Sequence, residues 1–131
     1  NLTHTRADMF RAVLEGIAAG TAHVMETYAE VGASPDRVLA VGGGTRNAPW
    51  LQATSDLAGV TQEVCEKTMG ASFGDAFLAA LAIGAVQPGD ITRWNPNASM
   101  VTPKAVPAYA LQYPLWKRLY LQTRDIMQAL G

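Results

Sequence analysis

Val38-Leu39-Ala40-Val41-Gly42-Gly43-Gly44-Thr45-Arg46-Asn47-Ala48-Pro49-Trp50 is a short apolar run, three consecutive glycines and a helix opening. Four residues rich in valine are too few for a helix and read as a buried strand. The glycines permit backbone angles closed to other residues and leave the main chain bare for a ligand. The helix that follows offers unpaired N–H groups at its start and a partial positive charge. The spacing is neither GxGxxG nor a P-loop, because no Gly-Lys-Ser or Gly-Lys-Thr follows. Two readings fit the stretch by itself: a nucleotide or phosphate cradle, and a tight strand-to-helix turn without a ligand.

Outward from this stretch, the pattern is helix, strand, helix, strand, helix, connector, helix. A helix over 5–31 is capped by Thr5-Arg6-Ala7-Asp8 and carries Phe10, Val13, Leu14, Ile17, Val24 and Tyr28 at helical spacing. Gly32 stops it and Ala33-Ser34-Pro35-Asp36 makes a turn. Asn47 caps a second helix through Ala58, with Pro49 in its first turn and Gly59 at its end. A second strand covers 61–65. Ser72-Phe73-Gly74-Asp75 resembles a capping box ahead of an apolar, buried helix over 73–85. Residues 91–108, with Asn95-Pro96, Pro103 and Pro107, show no periodicity and read as a connector. The last helix covers 111–130, with Tyr113, Trp116, Leu119, Tyr120, Ile126, Met127 and Leu130 as its apolar face. This is an α/β chain, helix-rich, with about two recognisable strands. Two strands make a weak core by themselves, so either further strands or another copy should supply contacts.

Composition narrows the classes. With 131 residues, 49% of them apolar, the chain is one domain able to bury a core. A net charge of −1 and the lack of a basic cluster argue against nucleic acid. No apolar run is long enough to span a bilayer, and the start lacks a signal peptide's pattern. The chain begins without Met, as a piece of a longer protein would. The single Cys65 fits an intracellular, cytoplasmic protein without disulfides. His4 and His23 lie far apart, neither at metal-ligand spacing, and read as solvent-facing or helix-packing residues; no metal site is expected. Asp8, Asp36, Asp56, Asp75, Asp90 and Asp125 fall at caps, turns and helix faces rather than in a recognisable catalytic pair.

Taken together, Val41-Gly42-Gly43-Gly44-Thr45-Arg46-Asn47, Trp50-Leu51-Gln52, Ser55-Asp56 and Gly59 resemble the nucleotide-binding stretch of the FGGY carbohydrate kinases. Gly70-Ala71-Ser72-Phe73-Gly74-Asp75-Ala76 is similar to that family's Gly-Ala-Ala helix start. Arg11 to Ile17 resembles the helix ahead of the glycine strand, and Tyr113 to Tyr120 the aromatic terminal helix. The resemblance covers nearly the whole chain in order. It implies two actin-like domains of ribonuclease-H-like fold in the family, with ATP and sugar in the cleft between them. Residues 1–131 would be the later part of the C-terminal, nucleotide-binding domain, incomplete on its N-terminal side.

On that resemblance, Gly42, Gly43, Gly44 and Thr45 belong to the loop against the ribose and phosphates of ATP, bound with Mg. Asn47 matches a polar position near the adenine, and Gly74 the region flanking the nucleotide from the other side. No catalytic residue is expected in this chain: the sugar or polyol and the catalytic aspartate belong to the N-terminal domain. Asp75 and Arg46 depart from the family pattern. Asp75 either caps its helix or touches Mg or a ribose hydroxyl; Arg46 is either solvated or reaches a phosphate. A second reading is a non-catalytic actin-like binding or assembly module, stabilised as a homo-oligomer. A third, another actin-like ATPase such as a chaperone or an acyl-CoA-dehydratase activator, fits less well, since the activator class needs cluster-binding cysteines.

Overall fold

The structure, a computed structural model, describes residues 3–130; Asn1, Leu2 and Gly131, the ends of the expected 1–131 domain, lie outside the described residues. Helix α1 spans Arg6–Glu30 and opens on the expected cap: the Asp8 N–H donates to Thr5 Oγ1, and Asp8 Oδ2 accepts from the Thr5 N–H at 2.7 Å. Strand β1 (Val38–Ala40), helix α2 (Ala48–Ala58) and strand β2 (Gln62–Cys65) form a parallel β-α-β unit with Val38 opposite Gln62 and Ala40 opposite Val64. Gly59, in the left-handed region at φ 66°, ends α2 as a glycine C-cap does.

Beyond β2 come α3 (Ala71–Ala82), the one-turn α4 (Ile91–Trp94), a third strand β3 (Asn97–Val101) and the long α5 (Pro107–Leu130). The sheet order is β1-β2-β3, with β3 antiparallel to β2 and an irregularity at Val64/Cys65. The expected connector over 91–108 therefore contains a strand. Asn97-Ala98-Ser99-Met100 does alternate polar with apolar residues, but the strand lies between Asn95-Pro96 and Pro103, has one β-branched residue and is exposed except at its last position, so the proline-rich surroundings masked it. Helix α5 begins four residues before the expected Leu111, since Pro107 suits the first helical position.

Helix α2 is fastened to the sheet by polar groups. Ser55, fully buried, donates to the Val101 carbonyl at 2.8 Å. Gln62 donates to the Leu51 carbonyl at 2.7 Å and to Ser55 Oγ at 2.9 Å. At the C-terminal end of β3, Asp56 accepts the Lys104 N–H, and Gln52 bonds both Asp56 and the Thr102 carbonyl. Helices α1 and α2 approach closely because small residues face each other: Ala18, Ala19, Ala22 and Ala53 are buried.

The large apolar residues behave otherwise. On α1 only Leu14 of the expected face is buried; Phe10, Val13, Ile17, Val24 and Tyr28 stay exposed. Helix α3, expected to be buried, buries only Phe77, with Leu78 at 62% and Ile83 at 82% exposure. On α5, Tyr113 and Trp116 are half-buried, whereas Leu119, Tyr120, Ile126, Met127 and Leu130 are exposed. Periodicity finds apolar faces correctly but says nothing about whether this chain holds the surface that covers them. Among the described residues no helix is long and apolar enough to cross a membrane.

On the sheet face away from α2, Arg37 forks onto Glu63, with Nε to Oε1 at 3.0 Å and Nη2 to Oε2 at 2.6 Å, while Asn97 of β3 also donates to Oε2. These three groups tie the start of β1 to β2 and β3. The Arg37 and Asn97 hydrogen bonds hold the Glu63 carboxyl at about 2, below its ordinary 4.5. A depressed carboxyl stabilises the fold fully above its unfolded value and loses that contribution as pH falls from about 4.5 towards 2. The stability difference between wild type and Glu63→Gln in urea titrations should therefore be constant between about pH 6 and 8 and shrink below about 4.5.

Candidate nucleotide site

The chain leaves β1 through Gly42, at φ 84° and ψ −173°, a conformation that L side chains rarely adopt. Gly43–Arg46 then form one 3-10 turn, closed by the Thr45 N–H and hydroxyl, which both donate to the Gly42 carbonyl. Asn47 accepts the Trp50 N–H on its side chain and so caps α2. The parallel neighbour β2 leaves the sheet toward a second glycine corner, Gly70, at φ 71° and ψ −135°, from which α3 starts. The two corners meet back to back: the Gly42 N–H donates to the Thr68 carbonyl at 2.8 Å, and a Cβ on Gly70 would lie 3.7 Å from Gly42 Cα. Two strand ends and two helix starts, α2 and α3, thus converge.

The glycines of the triplet have different tasks. Gly42 is needed for its backbone angle. A Cβ on Gly44 would stand 2.8 Å from the Trp50 ring, so the missing side chain there makes room for the protein's own indole. Gly43 has neither demand: its φ is not positive and a Cβ would meet nothing within 4 Å. Gly43 is the position where bare main chain faces open space. Thr45 spends its hydroxyl on the turn and Asn47 its carbonyl oxygen on the cap.

Gly74 sits in the first turns of α3, exposed and with no neighbour within 4 Å of a Cβ, and its N–H bonds back to the Gly70 carbonyl. The expected capping box does not form: α3 starts at Ala71 with Gly70 before it, so Asp75 lies one turn inside the helix and caps nothing. The turn at Gly70 starts the helix before Ser72 can serve as its cap. Arg46, in the 3-10 turn, and Lys67, two residues after β2, have no ion-pair partner among the described residues.

Beside the corner, a mostly apolar cleft of about 310 Å³ runs between Thr21 and Met25 of α1, Leu39 and Val41, and Trp50 of α2. The α1 residues in it had no local motif to mark them; only the fold brings them near. Three aspartates are engaged elsewhere: Asp8 serves a cap, Asp56 bonds Lys104 and Asp90 bonds Gln87 and Arg93, while Asp75 stands next to Gly74 in α3. Cys65 is buried and contacts Asn97, while His23 packs edge-on against Trp116 and Tyr120.

Residues 1–83 match the profile of the FGGY family of carbohydrate kinases, C-terminal domain. The chain belongs to the FGGY family. It is 31% identical to the xylulose kinase of Bacillus subtilis over 97% of its own length, which is 26% of that protein. Its fold superimposes on the xylulose kinase of Rhodospirillum rubrum with a TM-score of 0.76 at 27% identity, covering 98% of this chain and 27% of that one. Plasmodium falciparum glycerol kinase, solved with ADP, shares the fold with a TM-score of 0.73 at 23% identity, over 94% of this chain and 25% of that one. The chain thus spans about a quarter of the length of these FGGY kinases. The helix-rich α/β architecture is that of the actin-like ATPase fold of these kinases, and the described residues hold three strands rather than the two expected.

Two glycine corners packed on each other leave little tolerance. Gly42→Ala and Gly70→Ala should each cost about 1–3 kcal/mol of stability through backbone strain. Gly44→Ala should cost a similar amount, about 1–3 kcal/mol, by displacing Trp50. Denaturant titrations followed by Trp fluorescence measure all three, and the Gly44 variant should also alter the native-state emission.

Proposed function

We propose that this chain is the nucleotide-binding part of the C-terminal domain of an ATP-dependent carbohydrate kinase. The reading rests on one observation above all. The main chain at Gly43 is open to solvent at a corner where two parallel strands end and two helices begin. The family and the ADP-bound glycerol kinase of the same fold support it.

Phosphoryl transfer is mostly positioning and charge stabilisation. The Gly42–Gly44 turn lets the phosphates and ribose approach the backbone. The unpaired N–H groups at the start of α3 present a partial positive charge to the polyanion. Arg46 lies within the first turn and Lys67 three residues before Gly70, and neither has an ion-pair partner among the described residues. ATP, with Mg, would supply the transferable phosphoryl group. The residues of this chain bind and orient it. None is assigned as the base for the sugar hydroxyl: Asp8, Asp56 and Asp90 are engaged in a cap, a backbone bond and an ion pair, and the base is left to the rest of the kinase. The acceptor, a small sugar or polyol, and its base are assigned to the remainder of a full-length kinase.

Gly43 allows the site to be tested apart from the fold, because the protein itself leaves room for a side chain there. In calorimetric titration with ADP, Gly43→Val should bind at least about tenfold more weakly than wild type, with an unchanged melting temperature. Equal heats from the two proteins would remove the glycine turn from the site.

The exposed apolar residues favour a second reading, an assembly module without turnover. Phe10, Val13 and Ile17 on α1, and Leu39 beside the unpaired edge of β1, are the surfaces such a module would cover. Sedimentation separates the two readings. A monodisperse dimer with no ADP affinity favours the module, and ADP binding favours the kinase.

A further inference from the structure

The segment that carries β2 into the second glycine corner is gripped from behind by a residue outside the family profile, which ends at residue 83. Asn95 closes α4, its N–H donating to the Ile91 carbonyl. Its side-chain amide lies along Lys67: Oδ1 accepts the Lys67 N–H at 2.9 Å, and Nδ2 donates to the Lys67 carbonyl at 2.9 Å. One residue earlier, the Glu66 N–H donates to the Pro96 carbonyl at 3.0 Å; one residue later, the Thr68 carbonyl receives the Gly42 N–H. Three consecutive residues therefore link the 95–96 segment to Gly42. Asn95 is fixed in turn, because adjacent Trp94 packs on Phe73 and Phe77 of α3, with ring centroids 5.8 and 5.5 Å apart.

We propose that Asn95 is a positioning residue for the nucleotide. It clamps Lys67, and through Thr68 holds the Gly42 and Gly70 corners at the spacing the phosphates require. This rests on the nucleotide reading above. The chemistry suits an amide, which carries a donor and an acceptor side by side. A carboxylate keeps the acceptor but loses the donor and sets a negative charge against the Lys67 carbonyl.

That difference supplies a signature which general loss of stability does not. Above its pKa, Asp in Asn95→Asp repels the Lys67 carbonyl. That repulsion raises the pKa while the Lys67 N–H it still accepts lowers it, so this carboxyl takes up its proton around the ordinary value of about 3.9. Protonation restores a donor, so the defect is present at high pH and fades as pH falls. The measurement is ADP and adenosine binding by wild type, Asn95→Asp and Asn95→Ala at about pH 8 and about pH 4, each variant compared with wild type at the same pH. The proposal expects Asn95→Asp to bind ADP about 3- to 10-fold more weakly than wild type at the higher pH. The ratio should move toward one at the lower pH, while Asn95→Ala stays weak at both and adenosine binding changes little. Amide exchange in Asn95→Ala should quicken at Lys67 and Gly42 but not along α1 and α2. An ADP ratio of one at both pH values, a pH-independent Asn95→Asp defect, or exchange quickened uniformly through the molecule overturns the proposal. A wild-type chain that binds no ADP overturns the nucleotide reading itself and this inference with it.

Discussion

The hydrogen bond from the Gly42 N–H to the Thr68 carbonyl joins the two loops that leave the parallel strands. Both loops turn through glycines with positive φ, Gly42 two residues after β1 and Gly70 five residues after β2, and the Gly70 corner lies in van der Waals range of Gly42. The starts of α2 and α3 are fixed by these turns, one through the 3-10 turn of residues 43–46 and the other directly at Gly70. If either corner opened, the two helix starts would no longer face a common space. The proposed nucleotide site depends on that convergence, because backbone donors cannot reach out as a side chain can.

The interior is built of small and polar residues. Alanines bring α1 against α2, and Ser55 and Gln62 form a buried hydrogen-bonded stitch between α2 and the sheet. Such a stitch fixes register, because a displaced helix would leave buried donors and acceptors unpaired at a cost of about 1–3 kcal/mol each. The large apolar residues stand mostly on outward faces of α1, α3 and α5. The stitch and the alanine contact give this chain a defined arrangement around the glycine corners, while much of its apolar surface remains free for other protein to cover.

Local chemistry made several features legible. The Thr5/Asp8 cap, the Asn47 cap and the Gly59 stop each involve residues within a few positions of one another, and each was found as read. The same locality misled at Ser72 and Asp75, where Gly70 began the helix first. Strand β3 escaped notice because it lies among prolines, is mostly exposed and has only Val101 as a β-branched residue, so its brief alternation did not stand out. The clamp of Asn95 on Lys67 spans 28 positions, and no spacing rule reaches that far.

The sequence by itself determined the order of elements from α1 to α3, the last helix, the glycine-rich strand end and the family. These depend on backbone preferences, periodicity and adjacent residues, all written along the chain. Only the tertiary structure decided what each glycine is for. Gly42 serves a backbone angle, Gly44 makes room for Trp50, Gly43 faces open space and Gly70 backs onto Gly42. Those roles depend on which atoms of distant residues come within a few ångströms, and that distance is set by packing rather than by position in the chain.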